Sequence, residues 1–364
     1  MSQWAGTLPT PTNPDAKIDK MMPMKYVIGR DVWSLKEDGY ALSEAMQRQF
    51  NIDAPVVTTP PPLENHLLHY VNRYEYLDNA DEGNHPSNRV ILTWYHGAPD
   101  HPDFSRMYAR LLSRLDEIDH IVTSCQSTVN HLITAGVPAP KITVIPIGID
   151  LERFRQPIKR GRAALGIPLD AVCIGSFQQD GIGGEDGDQP KLIKGPDVLL
   201  EVIARLFERE PRLFVLLTGP KRGYVKNGLQ KIGVPFVHHH FDAHTDTADC
   251  FHAADLILIT SREEGGPKAL LEAWAAGVPL VSTRMGMPAD FVQHGENGLL
   301  AAVEDVNGLT TAAQRVIEQP AFRAQMAAAG LETVKAFTWD RVAEMHYQRV
   351  YKPLDPSPKS RLTP

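Results

Sequence analysis

The stretch Leu256–Gly277, LILITSREEGGPKALLEAWAAG, contains the signals that decide how this chain folds. It opens with an apolar run, passes through the turn Gly265-Gly266-Pro267, and then repeats apolar residues at helical spacing up to Gly277. Proline suits the first position of a helix, because its missing N–H would have no partner there and its φ is already helical. A short apolar strand followed by a turn and a helix is the repeating unit of parallel α/β sheets.

The same alternation of short apolar runs and amphipathic segments continues along most of the chain. Apolar runs include Val90–Trp94, His120–Thr123 and Leu213–Thr218. We therefore predict an α/β fold of two doubly wound parallel-sheet domains, with a boundary near residues 150–165. In such sheets ligands bind beyond the carboxyl ends of the strands. The predicted parts are an N-terminal domain over residues 1–155, a C-terminal domain over 156–340, and a closing helix and tail over 341–364.

Length and composition narrow the classes of function. The 364 residues carry 37 Lys and Arg against 44 Asp and Glu, a net charge of −7, which is not the footprint of a general nucleic-acid binder. The three cysteines, Cys125, Cys173 and Cys250, are too scattered to predict a disulfide framework or a zinc knuckle. The polar, Pro-rich start, Met1 to Met24, predicts no export signal, and no apolar run is long enough to span a membrane. We expect a cytoplasmic protein.

The start of the helix after Pro267 is predicted to be an anion site. The glycines, Gly266 in particular, allow close backbone approach, and the N–H groups of Lys268, Ala269 and Leu270 are expected to point out of the helix start. The helix dipole adds positive potential there. The sequence therefore predicts a phosphate-binding turn.

Two acids flank this turn, Glu264 just before the helix and Glu272 eight positions later. Carboxylates accept hydrogen bonds from vicinal sugar hydroxyls, so a pair around a phosphate pocket suits a nucleotide sugar. The spacing alone leaves a second interpretation open. In it, Glu264 is an ordinary N-terminal acid favoured by the helix dipole, and Glu272 is a solvated helix residue.

The run from Glu264 to Ser282, EGGPKALLEAWAAGVPLVS, resembles the E-x7-E signature of retaining GT-B glycosyltransferases, specifically glycosyltransferase family four. Residues 283–300 resemble the family's following helix and turn, and Val144–Phe154 resembles its interdomain hinge. The resemblance extends from about residue 90 to residue 350. It implies a GT-B fold, in which two Rossmann-like doubly wound domains face each other across a cleft.

The resemblance also implies roles for individual residues. Glu272 would bind the ribose hydroxyls of a nucleotide, and Glu264 would contact the donor sugar near the reacting centre. Lys194 matches the family's lysine that neutralises the diphosphate, a role that suits a flexible ammonium group. His96, in the run Trp94-Tyr95-His96-Gly97, matches a histidine that faces the donor sugar. Apart from the resemblance, Lys194 could be a solvated lysine and His96 a turn histidine.

One position departs from the family pattern. Members often carry an arginine soon after the glycine equivalent to Gly175, whereas here the chain continues Ser176-Phe177-Gln178. Without that arginine, we expect another cationic side chain to neutralise the diphosphate of the donor. The candidates are Lys191, Lys221 and Arg222.

The Gly- and Asp-rich insertion at residues 178–191 is predicted to be a flexible, solvated loop that covers the donor pocket. A dinucleotide-binding fingerprint is excluded, because Asp186 stands where the third glycine is required. A cation site is disfavoured, because no calcium-loop spacing fits.

The histidines His238, His239, His240 and His244 look metal-like, but neighbours on a strand alternate faces, so we predict no metal site there. The arginines Arg106, Arg110 and Arg114 form a stripe at helical spacing. Such a stripe binds an acidic acceptor or an anionic membrane surface at its periphery, or is a solvated face.

The function implied is transfer of a sugar from a UDP-, GDP- or ADP-linked donor to an acceptor hydroxyl with retention of configuration. No cofactor and no metal are expected, because a helix start and Lys194 can stabilise the leaving diphosphate. The C-terminal domain would hold the donor and the N-terminal domain a glycan, lipid-linked or small-molecule acceptor, with no nucleic acid involved. The alternatives are a nucleotide-sugar epimerase or phosphorylase on the same fold, or a degenerate transferase that only binds.

Overall fold

The computed structural model of the chain describes residues 21–29, 33–59, 62–79, 85–156, 158–241 and 247–355. They form two compact units, one within residues 1–148 and 336–364, the other Ile149–Lys335. The polar N-terminus, the C-terminal tail and His244, which were interpreted above, lie wholly or largely outside the described residues.

The first unit is built on a sheet whose six strands are all parallel. These strands are β1 (Met24–Val27), β2 (Val56–Val57), β3 (Leu67–Tyr70), β4 (Arg89–Thr93), β5 (His120–Thr123) and β6 (Ile142–Val144). The helices between them are α1 (Trp33–Phe50), α2 (Arg73–Asn79), α3 (Pro102–Ser113) and α4 (Gln126–Ala135), with 3-10 turns at Leu115–Glu117 and Ala139–Lys141. The strand order is β2-β1-β3-β4-β5-β6, so the direction of winding reverses between β1 and β3. Doubly wound sheets bind ligands at such a switch point.

The second unit repeats this architecture with a second sheet of six parallel strands, in the order β11-β10-β7-β12-β13-β14, and adds an antiparallel pair, β8 and β9. The strands are β7 (Val172–Phe177), β8 (Gly181–Ile182), β9 (Gln189–Pro190), β10 (Leu213–Thr218), β11 (Phe236–His239), β12 (Leu256–Ile259), β13 (Leu280–Thr283) and β14 (Leu299–Ala301). The helices are α5 (Leu151–Arg155), α6 (Pro196–Phe207), α7 (Gly223–Ile232), α8 (Ala248–Ala253), α9 (Lys268–Ala275), α10 (Gly286–Phe291), α11 (Val306–Glu318) and α12 (Pro320–Thr333), with 3-10 turns at Leu192–Lys194 and Val334–Phe337.

After the second unit the chain returns to the first through α13 (Trp339–His346), a π-helical turn at Tyr347–Tyr351, and α14 (Lys352–Leu354). Val342 and Tyr351 are buried in the same core as Tyr26 and Leu67 of the sheet. The hydroxyl groups of Tyr26 and Tyr351 are hydrogen-bonded at 3.1 Å. The closing helices therefore complete the core of the first unit.

The predicted fold class, two doubly wound parallel α/β domains, is confirmed by both sheets. The boundaries differ from those predicted from sequence. The structure divides the chain between Gly148 and Ile149 and again between Lys335 and Ala336, and it assigns the closing helix to the first unit rather than to a separate segment. The apolar residues of that helix cause the difference, because they are buried against the first sheet and α1.

In the second unit, β12 lies between β7 and β13, and all four of its residues are buried. A strand covered on both faces explains the unbroken apolar run Leu256–Ile259. The turn between β12 and α9 consequently leaves the sheet at its carboxyl edge, where ligands bind in this class of fold.

Candidate functional site

The turn after β12 carries Glu264 in a buried position, with only 7% of the residue exposed. The backbone of the neighbouring α10 comes unusually close to it. Gly286 has a φ of +50°, and a Cβ atom at this position would lie 2.1 Å from the carbonyl oxygen of Glu264. The next residue, Met287, donates its N–H to the carbonyl oxygen of Gly265 at 2.7 Å. Glycine at 286 is thus required for α10 to hold this turn in place.

Glu264 forms an ion pair with Lys194, and one of its oxygens also accepts a hydrogen bond from Ser261 Oγ at 3.2 Å. Of the Lys194 side chain, 19% is exposed, so the interpretation as a solvated lysine does not describe it. The structure thus brings together two residues that lie 70 positions apart in the chain. They form a charge-compensated pair at the carboxyl edge of the second sheet.

The position of Lys194 is fixed by the residues on either side of it. It ends a 3-10 turn, and Gln178 donates from Nε2 to its carbonyl oxygen at 3.0 Å. The following Gly195 has a φ of +62°, and a Cβ atom there would lie 2.0 Å from the carbonyl oxygen of Thr260. The turn that holds Lys194 therefore packs directly on the end of β12.

Glu272 lies in the middle of α9 and is also buried, with 6% exposed. The interpretation of Glu272 as a solvated helix residue is therefore wrong. Its Oε1 lies 3.7 Å from Nη1 of Arg153 on α5, and Nη2 of Arg153 donates to Thr247 Oγ1 at 2.6 Å. Arg153 was not among the residues predicted from sequence, although it stands within the hinge-like run Val144–Phe154.

The start of α9 differs in two respects from the prediction. Pro267 precedes the first helical residue, Lys268, instead of occupying that position, because its ψ of 115° is extended. The N–H of Leu270 donates to the carbonyl oxygen of Pro267 at 3.0 Å and does not point out of the helix. Gly266 and Lys268 are half-buried, and Ala269 is buried. The N–H of Leu270 is therefore not available to the predicted anion site.

Arg222 does not replace the missing diphosphate arginine, because it is part of the core of the second unit. Its guanidinium is fully buried and pairs with Asp180, with Nε 2.9 Å from Oδ1. It also donates to the carbonyl oxygens of Ser176 and Thr218 at 2.6 and 2.8 Å. Burial lowers the pKa of Arg222 and raises that of Asp180, while their mutual attraction opposes both shifts.

The two lysine candidates differ in exposure. Lys221 is exposed and has a φ of +54°, whereas Lys191 is half-buried and donates its N–H to the carbonyl oxygen of Asp180 at 2.8 Å. Lys191 is the N-cap of the 3-10 turn Leu192–Lys194. It is therefore the candidate cation nearest in sequence to the Glu264–Lys194 pair.

The insertion at residues 178–191 has more regular structure than the predicted loop, although its middle, residues 182–186, is exposed as predicted. It folds into the antiparallel pair β8 and β9. Gly223 and Tyr224, at the start of α7, donate to the carbonyl oxygens of Asp186 and Gly187 at 2.7 and 2.9 Å. The buried pair of Asp180 and Arg222 anchors its base. The Gly and Asp residues of the insertion thus form an ordered hairpin.

His96 belongs to the first unit and follows the carboxyl end of β4. Its carbonyl oxygen accepts a hydrogen bond from Nη1 of Arg73, and its ring packs edge-on against Phe104 with 5.5 Å between centroids. The guanidinium of Arg73 also stacks over the Trp94 ring at 4.4 Å. Arg73, which is only 4% exposed, was not among the residues predicted from sequence.

The remaining motifs have structural partners. His238 and His239 contact different carbonyl oxygens, those of Gly219 at 2.7 Å and Leu165 at 3.0 Å. Among the described residues, no group of three or more His, Cys, Asp or Glu side chains is arranged to hold a metal ion. Of the arginine stripe, Arg110 pairs with Asp78, Arg114 pairs with Glu117, and Arg106 is exposed. Over the same described ranges, no helix has the length and apolarity needed to cross a membrane.

Two family models match this chain. The model for glycosyl transferases group 1 matches residues 190–333, and the model for Glycosyltransferase Family 4 matches residues 45–153. Each model falls mainly on one of the two units.

Curated relatives include the D-inositol 3-phosphate glycosyltransferases of Saccharomonospora viridis and Actinosynnema mirum. They are 30% and 31% identical over 246 and 245 residues, which is 63% of this chain in both cases and 54% and 56% of the relatives. The chain therefore spans about half the length of these relatives.

Among solved structures, Anabaena Alr3699/HepE in complex with UDP-glucose has a TM-score of 0.70 at 18% identity. The superposition covers 88% of this chain and 98% of the Anabaena chain. The sucrose-phosphate synthase of Thermosynechococcus elongatus has a TM-score of 0.63 at 21% identity. That superposition covers 85% of this chain and 76% of the synthase chain. These likenesses show that the fold is that of GT-B glycosyltransferases.

Proposed function

Because this chain belongs to the GT-B glycosyltransferases of group 1 and family four, we propose that it transfers a sugar from a nucleotide diphosphate sugar to an acceptor hydroxyl. We propose further that configuration at the anomeric carbon is retained and that no metal ion is needed. The observation that carries the proposal is a pair of buried carboxylates, each close to a cationic side chain. Glu264 pairs with Lys194, and Glu272 lies near Arg153.

The second unit is proposed to hold the donor. Glu272, buried beside Arg153, would accept hydrogen bonds from the two ribose hydroxyls. Lys194 would attract the diphosphate, and the N–H groups at the start of α9 would add to that attraction. Lys191, three residues earlier, supplies the charge that the family arginine provides elsewhere. Arg222 has no part in this, since its donors are bound to the core.

We propose uridine as the base and a small polyhydroxylated molecule as the acceptor. The base is supported by the fold likeness to Anabaena Alr3699/HepE in complex with UDP-glucose. The acceptor class is supported by relatives named D-inositol 3-phosphate glycosyltransferase.

In the proposed reaction the acceptor oxygen attacks the anomeric carbon from the face that the diphosphate leaves. The bond from the anomeric carbon to the phosphate oxygen breaks, the bond to the acceptor oxygen forms, and the acceptor proton passes to the departing phosphate. Lys194 and the start of α9 stabilise the negative charge that develops on the diphosphate. Glu264, held by Lys194 and Ser261, positions the sugar in the second unit.

Binding of the donor is tested by thermal unfolding with UDP, GDP, ADP and UDP-glucose. A ligand at one hundred times its Kd stabilises the folded state by about 2.7 kcal/mol. We expect that shift with UDP and UDP-glucose, its loss in Glu272→Gln, and its retention in Glu201→Gln, an exposed glutamate of α6 in the same unit. No shift with any nucleotide in the wild-type protein contradicts the donor site.

The finer features need their own measurements. UDP release from UDP-glucose in the presence of a polyol measures turnover, and Glu264→Gln is expected to reduce it by at least tenfold while UDP still binds. The anomeric coupling constant in the NMR spectrum of the product shows whether configuration is retained. Unchanged turnover in EDTA supports a reaction without metal, and loss of turnover in EDTA contradicts it. A product with inverted anomeric configuration contradicts the proposal of retention.

A further inference from the structure

The first unit contains a small, partly open cavity that none of the roles above uses. It lies at the carboxyl ends of β3, β4 and β5, beside the switch point between β1 and β3, and α13 forms one wall. The lining residues come from α1, the three strand ends, the segment that follows β6, and α13. The polar ones are Asp38, His69, Thr93, Tyr95, Thr123, Ser124 and His346.

Three polar atoms that line this cavity are buried without a hydrogen-bond partner. They are Oγ1 of Thr123, Oγ of Ser124 and Nδ1 of His346, and the three residues are 0%, 1% and 5% exposed. Buried polar atoms almost always have a partner, because leaving one unpaired costs its full desolvation energy. Three around one cavity indicate a ligand with hydroxyl groups.

The lining also defines the charge of that ligand. None of the residues that line the cavity is a lysine or an arginine. Both ring nitrogens of His69 are bonded, to the hydroxyls of Tyr351 and Thr93 at 2.8 Å each. Burial lowers the pKa of His346 to about 3, so this ring is neutral. With one acid, Asp38, and no cation, the cavity favours an uncharged group over an anion.

The size of the cavity sets the size of the group. Its volume is about 30 Å³, which is room for about two water molecules. A whole sugar ring does not fit, whereas one hydroxymethyl group does, as do the two hydroxyl oxygens of a vicinal diol. The apolar walls, formed by Ile147, Trp339 and Val342 among others, suit the carbon atoms of such a group.

We propose that this cavity binds a hydroxymethyl or vicinal diol group of a polyhydroxylated acceptor, with Thr123, Ser124 and His346 as its hydrogen-bonding partners. The assignment to an acceptor rests on the proposed transferase function. It is supported by Tyr95, which lines the cavity and directly precedes His96. The cavity determines acceptor specificity by selecting this group.

The test uses myo-inositol and glycerol as probes and saturation-transfer NMR as the measurement. The full chain is compared with the double variant Thr123→Val/Ser124→Ala, which keeps the side-chain shapes and removes the two unpartnered hydroxyls. Thr310→Val is the control, because this buried threonine of α11 already donates to the carbonyl oxygen of Val306. Stabilisation by UDP is measured on the same preparations and reports the donor site and the folded state.

We expect the wild type and Thr310→Val to bind both probes saturably. The double variant should bind them at least tenfold more weakly while its stabilisation by UDP is unchanged. Equal binding by the double variant, or no binding to a wild-type protein that UDP stabilises, overturns the proposal. If the probes bind as expected but no nucleotide stabilises the protein, the polyol site stands and only its assignment to a transferase acceptor fails.

Discussion

Acidification is expected to destabilise the first unit through two buried histidines. His69 and His346 are 1% and 5% exposed, and their ring centroids are 5.4 Å apart. Burial holds the pKa of His69 well below its ordinary value and lowers that of His346 to about 3, and the nearby His120 acts in the same direction on both. Tyr351 contacts both rings. The folded state therefore keeps both rings neutral.

The sign and size follow from proton linkage. In the unfolded chain a histidine titrates near pH 6.5, so below that pH the unfolded state binds protons that the folded state does not. Stability is fully present above pH 6.5 and is lost as the pH falls toward the folded-state pKa, about 3 for His346. Between pH 7 and pH 5 one such histidine costs about 2 kcal/mol. His69 and His346 together cost about 4 kcal/mol, a large share of a typical stability of about 5 to 15 kcal/mol.

Amide hydrogen exchange of peptides from β3 and α13 is the assay, because it measures opening of the first unit alone. The free energy of opening should fall by about 4 kcal/mol from pH 7 to pH 5 in the wild type, and by about 2 kcal/mol less in His346→Phe. His240→Gln, which changes an exposed histidine of the second unit, is the control and should follow the wild type. The same pH dependence in His346→Phe as in the wild type would refute the reasoning.

Three substitutions test the packing. Gly195→Ala places a Cβ atom 2.0 Å from the Thr260 carbonyl oxygen at a φ of +62°. It should therefore lower the free energy of unfolding by about 1 to 3 kcal/mol and weaken UDP binding, both measured by thermal unfolding. Wild-type stability and UDP binding in this variant would contradict the close packing. Arg222→Met leaves Asp180 buried without its partner and should lower the free energy of unfolding, measured in urea, by about 3 to 5 kcal/mol. The double variant Arg222→Met/Asp180→Leu should recover most of that loss. An unchanged free energy of unfolding in the single variant would show that the pair is solvated. Thr123→Val removes a buried hydroxyl that has no partner and should raise the free energy of unfolding by about 1 kcal/mol, whereas a loss of stability would indicate a bond to the hydroxyl.

Local signals in the sequence were sufficient for the central strand, turn and helix of the second unit. The apolar run from Leu256 became β12, and the helical repeat that follows began at Lys268 and ended just before Gly277, as its spacing indicates. Strand and helix patterns depend on neighbours within a few residues, so one sequence contains them. The acids Glu264 and Glu272 could be named for the same reason.

Partners from distant parts of the chain could not be named. Arg153 on α5 and Glu272 on α9 are brought together by the fold of the second unit, and no short-range pattern links the two. The hairpin formed by residues 178–191 could not be predicted from sequence for a related reason. Its Gly and Asp content is typical of a solvated loop, but Asp180 is buried because Arg222, 42 positions later, supplies a compensating charge. Pairing of this kind exists only in three dimensions.

The path of the chain through the first unit has a consequence for synthesis on the ribosome. The core of this unit needs Val342 and Tyr351, yet the whole second unit, Ile149–Lys335, is translated before them. At about 5 to 20 residues per second, the first sheet waits about 10 to 40 s for its last helices. The second unit, contiguous in the chain, has all of its residues by then. The half of the protein that is translated first is therefore the half that matures last, and its unfinished apolar surface is what a chaperone would meet on the nascent chain.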